Sequence, residues 1–418
     1  METSYSRSGL KALNFFIAAV EAGFGPFVAV FLTQQGWSQT DVGLVLSIGA
    51  GAALFGQLPG GLAVDHVHRK RPILTVALIA IAGAALLVAF LPTFSTVSMA
   101  EAMNSLASCI VTPSIAAITL RLCGHDAYSE RLGVNARYGS LGAASAAGFF
   151  GVCAWYVSQR SVFIAAAGLV LPALIALYTI RSSDEAAGEE HCALLHPRER
   201  RRRAREWHIF REPALHIFGA CAVLFHLSNA AMLPLALNEL AKRTPTAGLV
   251  VSAAVIVPQV IVAAISPWAG AMAQAVGRRP VLVAGFAALP IRGLLFAMLT
   301  WAGATAAPLI AIQMLDGISG TVFGLSLPLI AADATRKTGF MNLAIGSLSL
   351  AVGLGATAST TLAGIVADRV GAPTAFVGLA AVGALAWLVV LLAMPETRPE
   401  RGGGTPAAGI AIATSQAA

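Results

Sequence analysis

Long apolar runs alternate with short polar segments along nearly the whole chain. Each run holds about 20 mostly apolar residues, the length that an α-helix needs to cross the hydrocarbon core of a bilayer. Inside that core the backbone must satisfy its own hydrogen bonds, as it does in a helix. The pattern predicts twelve transmembrane spans, numbered here in chain order, at residues 10–33, 41–64, 72–91, 96–121, 134–157, 161–180, 213–238, 246–273, 280–301, 305–333, 341–366 and 373–394.

The second half of the chain repeats the first. Residues 61–70, between spans 2 and 3, read GLAVDHVHRK, and residues 270–279, between spans 8 and 9, read GAMAQAVGRR. Similarity sustained over several spans is hard to obtain by chance. Further matched pairs are Glu101 with Asp316, Asn104 with Ser319, Asn135 with Asn342, and Glu21 with Asn229. We therefore predict an all-α polytopic membrane protein with two pseudo-symmetric six-helix bundles, residues 1–180 and 213–395.

Composition and charge agree with this fold class. The chain is 57% hydrophobic and 11% charged, whereas soluble domains carry about 25% charged residues. Its net charge of +7 comes mainly from Lys and Arg on alternate loops, and this asymmetry places both termini in the cytoplasm by the positive-inside rule. Topology thus explains the basic charge, and no nucleic-acid partner is expected. We predict a basic cytoplasmic linker at 181–212, a disordered cytoplasmic tail at 396–418, and a location in an inner cell membrane.

The repeated loop resembles a family signature. Two six-helix halves, a basic middle loop and the pattern Gly-x-x-x-Asp-x-x-x-Arg-Lys are similar to the major facilitator superfamily. The residues that match the signature are Gly61, Asp65, Arg69 and Lys70 in the first copy and Gly270, Gly277, Arg278 and Arg279 in the second. The resemblance implies a secondary active transporter that works by alternating access, usually as a monomer, with spans 1, 4, 7 and 10 around a central cavity.

These loop residues form a predicted conformational latch. A carboxylate at the cytoplasmic end of span 2 can pair with a basic partner and with the N-terminal dipole of a neighbouring helix. Asp65 is the candidate for this role, with Arg69 holding the loop and Gly61 allowing close helix approach. The alternative is a charge cluster that only stops membrane insertion, beside a glycine that only packs.

Several polar residues fall inside predicted spans, where an ionisable group costs about 2.5–3.5 kcal/mol and usually has a partner or a task. Glu21 lies near the middle of span 1, and we predict that it carries the coupling proton, with His226 as the next candidate. The predicted substrate cavity contains Asn14, Glu101, Asn104, Arg137, Asn229 and Asp316. The alternatives are a buried ion pair of these acids with Arg292 or Arg137, and an Arg137 side chain that extends to the cytoplasmic surface.

The sequence thus predicts a proton-coupled transporter of a small molecule. An acidic cavity favours export of amphiphilic or cationic compounds. Two antiporter signatures of the family are incomplete, because Glu101 stands where many members carry an arginine and span 5 lacks a Gly-Pro pair. Import of a metabolite or organic acid by proton symport is therefore the alternative, and a non-transporting membrane sensor is a more remote one. No nucleotide, metal or enzyme motif is found, so the expected partners are a small-molecule substrate, protons and the lipid bilayer, without a cofactor.

Overall fold

The computed structural model describes residues 4–24, 26–67, 69–180, 212–241, 247–303, 305–336 and 338–398. Helices account for all the regular secondary structure of these residues. Their bounds are α1 Ser4–Glu21, α2 Pro26–Gln34, α3 Gln39–His66, α4 Lys70–Phe90, α5 Phe94–Tyr156, α6 Gln159–Thr179, α7 Pro213–Asn229, α8 Met232–Ala241, α9 Ala247–Ala275, α10 Arg278–Phe286, α11 Ala288–Ala302, α12 Ala306–Ala334, α13 Met341–Val370 and α14 Ala372–Ala393.

These helices form the predicted twelve spans. Ten stretches of the described residues, which together hold spans 2 to 12, are long and apolar enough to cross a membrane, and span 1 is not among them. One of them, the 63-residue α5, contains both span 4 and span 5. Span 1 consists of α1 and α2, span 7 of α7 and α8, and span 9 of α10 and α11. The fold class, an all-α polytopic membrane protein of two six-helix bundles, is therefore confirmed.

The breaks in spans 1 and 7 occur at matched positions. In span 1, α1 ends at Glu21 and α2 begins at Pro26. In span 7, α7 ends at Asn229 and α8 begins at Met232, with Pro234 in its first turn. A proline lacks the backbone N–H that would continue a helix but is tolerated in a first turn. The two halves therefore share a discontinuous first span, which the sequence pattern alone presents as one run.

The connection between spans 4 and 5 is helical, although the hydrophobic pattern predicts a loop there. Only Gly124 leaves helical geometry, with φ 69° and ψ 175°. This is a left-handed region that glycine enters without a steric penalty. The chain thus turns at one glycine, and residues 125–133 continue as helix into span 5.

Apolar side chains cover the outside of the molecule as well as its core. Phe55, Trp155 and Trp301 are 85%, 84% and 86% exposed. Exposure of such large apolar groups is expected where the solvent is lipid rather than water. These residues therefore mark the surface that faces the bilayer.

The C-terminal end of the described chain is tied to the second copy of the repeated loop. The Glu396 carboxylate accepts hydrogen bonds from the backbone N–H groups of Arg278 (2.9 Å) and Arg279 (3.1 Å), and Arg398 donates to the Ala275 carbonyl (2.6 Å). Residues 396–398 thus contact the C-terminal half, where the sequence predicts the start of a disordered tail. Residues 399–418, and residues 181–211 of the predicted linker, lie outside the described residues.

Candidate functional site

Glu21 lies at the break in span 1, as the last residue of α1. Its side chain is exposed in the structure, as expected for a polar residue that faces a cleft between the helices. Within the described part of the chain its carboxylate has no hydrogen-bond or ion-pair partner. The C-terminal end of a helix also carries partial negative charge. Glu21 is thus placed to bind a proton or a cation.

The matched residue in the other half, Asn229, belongs to a buried arginine network. One terminal nitrogen of the Arg292 guanidinium in span 9 donates to the Asn229 side-chain oxygen and to Asp316 Oδ1 (2.7 Å). The second terminal nitrogen donates to Gln313 Oε1 (2.6 Å). Arg292 is 1% exposed, whereas the Asp316 side chain is 24% exposed. The predicted cavity residues Asn229 and Asp316 are therefore brought together, and the alternative of an ion pair between Asp316 and Arg292 describes their contact.

Gln313 is a member of this network that the sequence analysis did not identify. It is fully buried and also donates from Nε2 to the Ala254 carbonyl in span 8 (3.1 Å). The Arg292 guanidinium lies 5.4 Å from the centre of the Phe296 ring, a favourable cation–π distance. The available signal was the spacing of Gln313 three residues before Asp316, which puts both side chains on one helix face.

Glu101, the repeat partner of Asp316, has a different environment. It is 6% exposed, and its Oε1 atom has no hydrogen-bond partner among the described residues. Its side chain packs on Gly49 of span 2, where an added Cβ would lie 3.1 Å from Oε2. The neighbouring predicted cavity residue Asn104 also has a buried oxygen without a partner in that part of the chain. Among the described residues, the N-terminal half thus presents a buried carboxylate without a guanidinium partner.

Two predicted site residues make local contacts. Asn14 Nδ2 donates to the Leu10 carbonyl of its own helix (2.8 Å). The His226 ring lies 4.7 Å from the Phe323 ring and 5.1 Å from the Phe225 ring, and its Nδ1 is 3.2 Å from the Ala222 carbonyl. These are the contacts of a packed aromatic side chain.

Arg137 joins the two halves. Its Nε donates to the Ala263 carbonyl in span 8 (2.8 Å), and another guanidinium nitrogen donates to Ala264 (3.3 Å). Ala263 lies four residues before Pro267, which has no N–H to complete the helical hydrogen bond. Arg137 therefore satisfies a carbonyl that the proline leaves without its helical donor. The side chain remains partly exposed, but neither surface snorkelling nor anion binding accounts for these two contacts.

Asp65 also connects the halves, at the N-terminus of α13. Its Oδ1 accepts from the Asn342 backbone N–H (3.1 Å) and side-chain amide (2.7 Å), and its Oδ2 accepts from the Leu343 N–H (2.8 Å). Gly61 lies one turn earlier, where an added Cβ would be 2.2 Å from the Asn342 carbonyl oxygen. Only a glycine fits at this crossing, and Asp65 caps the dipole of span 11.

Of the other predicted latch residues, only Gly270 has a described contact with the opposite half. Gly270 contacts the N-terminal half, because its carbonyl accepts from Ser129 Oγ (2.8 Å). Lys70 is buried and donates to two carbonyls of its own loop, including that of Val67 (2.6 Å), while Arg69 is exposed just before α4. Arg278 and Arg279 stay within the C-terminal half, where they bind Asp333 (3.0 Å) and the Leu391 carbonyl (2.6 Å), respectively.

The hydrogen bonds of Asp65, Ser129 and Arg137 that join the halves all lie on the side predicted to be cytoplasmic. They connect the predicted cytoplasmic end of span 2 with span 11, and connect span 5 and the helical segment before it with span 8. One apolar cluster includes buried residues of both halves, such as Tyr128 with Phe218, while the other clusters each come from a single half. The described halves are therefore closed against each other on that side. No cluster of potential metal ligands occurs among the same residues.

Comparison with known proteins places this architecture in a family. The profile described as Major Facilitator Superfamily matches residues 12–257 and 215–416. The chain is 33% identical over 409 residues to uncharacterised MFS-type transporters of two Mycobacterium tuberculosis strains, CDC 1551 and H37Rv, with 93% of each chain covered.

Solved structures of low sequence identity share the fold. The human organic anion transporter MFSD10 (TETRAN) superimposes with a TM-score of 0.68 at 14% identity, covering 93% of this chain and 100% of that one. The proton:xylose symporter XylE, bound to 6-bromo-6-deoxy-D-glucose, gives 0.69 at 13% identity, covering 94% and 95%. The repeated loops, the twelve spans and these matches agree, and the chain belongs to the major facilitator superfamily, whose members are secondary transporters.

Proposed function

We propose that this transporter is driven by protons, that Glu21 carries the coupling proton, and that the transported molecule is an amphiphilic cation that leaves the cell. The observation that carries the proposal is the position of Glu21. Its side chain lies at the broken centre of span 1, is exposed, and has no partner in the described part of the chain. A carboxylate in such a cleft can alternate between protonated and ionised forms.

A proton and a cation that bind to the same carboxylate compete for it, so transport of one is coupled to the opposite transport of the other. An ionised Glu21 attracts a cation, and a proton that binds to Glu21 removes that attraction. The paired Asp316 offers no such site, because the Arg292 guanidinium already compensates its charge. Proton binding from one side of the membrane would therefore release the cation there, and deprotonation on the other side would restore the site.

Alternating access requires the closed side to open. The contacts of Asp65, Ser129 and Arg137 hold the predicted cytoplasmic ends of the halves together. We assign this arrangement to the state in which the cleft at Glu21 is reached from outside the cell. Rocking of the two halves about the cleft would break these contacts and open the cytoplasmic side.

A second candidate function is symport of an organic anion with protons. It is favoured by two cations near the predicted cytoplasmic end of the cleft, Arg137 and Lys11. Lys11 Nζ lies 5.5 Å from the centre of the Tyr138 ring. Within the described part of the chain, Arg137 uses two of its five N–H donors on carbonyls. An incoming carboxylate could take the remaining donors.

The test uses energised inverted vesicles with a dye that reports internal acidity. Lipophilic cations and small organic acids are added in turn to vesicles that contain wild type, Glu21→Gln or the exposed-surface control Glu130→Gln. Proton release that depends on a cation, persists in Glu130→Gln and vanishes in Glu21→Gln would support the proposal. Release of equal size in Glu21→Gln would refute the proton role of Glu21, and proton-linked uptake of acids in right-side-out vesicles would favour the second candidate.

A further inference from the structure

Three buried polar atoms without partners lie on one face of span 4. They are Ser98 Oγ, Glu101 Oε1 and Asn104 Oδ1, and none has a hydrogen-bond partner in the described part of the chain. Their spacing of three residues puts one on each successive turn of the same face. Other positions of this helix, including Met99 and Leu106, line an apolar groove. A buried polar group without a partner costs about 1–3 kcal/mol, so three together require an explanation.

The repeat in the other half shows what such a face can bind. The residues matched to Ser98 and Glu101 are Gln313 and Asp316, and both accept hydrogen bonds from the Arg292 guanidinium. Asn229, which matches Glu21, accepts a third. In the C-terminal half, therefore, the matched positions surround the guanidinium group of the protein's own Arg292.

The N-terminal half has no arginine at the corresponding position. When the two copies of the repeated loop are aligned through Arg69 and Arg278, the counterpart of Arg292 is Gly83. When they are aligned through the prolines that open spans 3 and 9, it is Ala84. Neither residue can supply a hydrogen bond or a charge from its side chain. The acceptors of span 4 thus lack the guanidinium that their counterparts in span 10 possess.

We propose that Ser98, Glu101 and Asn104, together with Glu21, form the binding site for a guanidinium or primary ammonium group of the transported molecule. A planar guanidinium offers five N–H donors, and a charge-assisted bond to a carboxylate is about twice as strong as a neutral one. The inference rests on the proposed export of a cation and adds the recognition of its N–H donors. Glu21 is assigned to this site because its repeat counterpart, Asn229, contacts the Arg292 guanidinium, and protonation of Glu21 would then weaken cation binding directly.

The structure suggests why this position is selective rather than merely acidic. Glu101 is almost fully enclosed against Gly49, so a cation must reach it without a hydration shell. Protein acceptors must then replace the lost water. A cation with N–H groups can bond to Ser98 and Asn104 as well as to Glu101, whereas a quaternary ammonium can only supply charge.

The experiment measures equilibrium binding to the purified full-length protein, without transport. The probes are benzylguanidinium and benzyltrimethylammonium, which share a charge and an aromatic group but differ in N–H donors, and sodium chloride is a third arm. The variants are Glu21→Gln, Glu101→Gln and Asn104→Ala. Ser319→Ala is the matched control, because Ser319 is the repeat partner of Asn104 and, among the described residues, its hydroxyl bonds to the Asp316 carbonyl of its own helix.

We expect benzylguanidinium to bind wild type at least tenfold more tightly than benzyltrimethylammonium. Glu101→Gln should weaken benzylguanidinium binding at least tenfold, Asn104→Ala at least threefold, and Ser319→Ala less than twofold. Unfolding temperatures within a few degrees of wild type would show that the variants fold. Equal binding of the two organic probes, or stabilisation by sodium alone, would overturn the proposal.

The result also separates this inference from the proposed function. If Glu21→Gln abolishes benzylguanidinium binding while Glu101→Gln leaves it unchanged, the cation site does not include span 4, and the inference is wrong although proton exchange at Glu21 stands. If both variants weaken binding but vesicles release no protons, the site on span 4 is supported and the proton coupling is refuted.

Discussion

Replacement of Asp65 by asparagine should open the side of the molecule that the structure shows closed. The carboxylate accepts three hydrogen bonds from the start of α13. An asparagine side chain would keep the shape and one acceptor oxygen but remove the negative charge at a helix N-terminus. In a partly buried geometry that interaction contributes up to about 2 kcal/mol, which corresponds to a shift of roughly 30-fold in the open-to-closed ratio.

The matched comparison is Ser129→Ala, at the other interface between the halves. Ser129 donates a single neutral hydrogen bond to the Gly270 carbonyl. Loss of such a bond costs about 1 kcal/mol, which corresponds to roughly fivefold in the same ratio. Both contacts exist only when this side is closed, so their loss acts on the equilibrium between the two conformations.

Spin labels on Glu130 and Val276 provide the assay. Both positions are exposed, and they belong to opposite halves on the predicted cytoplasmic side. Pulsed electron resonance on protein without native cysteines measures the distribution of distances between the labels. The open-to-closed ratio should rise in the order wild type, Ser129→Ala, Asp65→Asn. A distribution for Asp65→Asn that equals wild type, or opens less than Ser129→Ala, would refute the capping argument.

Three further variants test other contacts. Arg292→Met leaves buried acceptors unpaired and should lower the free energy of unfolding in detergent by about 3–5 kcal/mol; an unchanged unfolding midpoint would contradict a structural role for the network. Arg137→Gln should shift the free-energy difference between the open and closed conformations by about 1–3 kcal/mol toward the open one. The shift should be smaller in a Pro267→Ala background, where residue 267 regains an N–H for the Ala263 carbonyl. Equal shifts in both backgrounds would disprove the link to the proline. Gly61→Ala should reduce the closed population because its Cβ would overlap a backbone oxygen, while Gly51→Ala, with open space around its Cβ, should not; both are read by the same distance measurement.

The lengths of the apolar runs are enough to predict the fold class of this protein. Lipid enforces that relation, since a run of about 20 apolar residues has no alternative to a helix that satisfies its own backbone. The repeated loop at residues 61–70 and 270–279 likewise revealed two related halves. Hydropathy alone could not show the breaks after Glu21 and Asn229, because helix continuity depends on backbone hydrogen bonds.

The partners of the polar residues were decided only by the tertiary structure. Glu101 and Asp316 are matched by the repeat and look equivalent in sequence, yet one is buried without a partner among the described residues and the other binds Arg292. The difference depends on a residue of another span, and no local pattern encodes which side chain a neighbouring helix brings within reach. Arg137 is a similar case, since its acceptor became available through Pro267, 130 positions away along the chain.

The sequence by itself therefore predicted that lipid surrounds the protein, how many spans it has and that its two halves are related. Each of these depends on composition and order along one chain. Which carboxylates remain uncompensated, and which side is closed, depends on distances between helices that are remote in sequence. Charges interact according to those distances and to the water that reaches them. For Glu21, Glu101 and Asp65 that information exists only in the folded molecule.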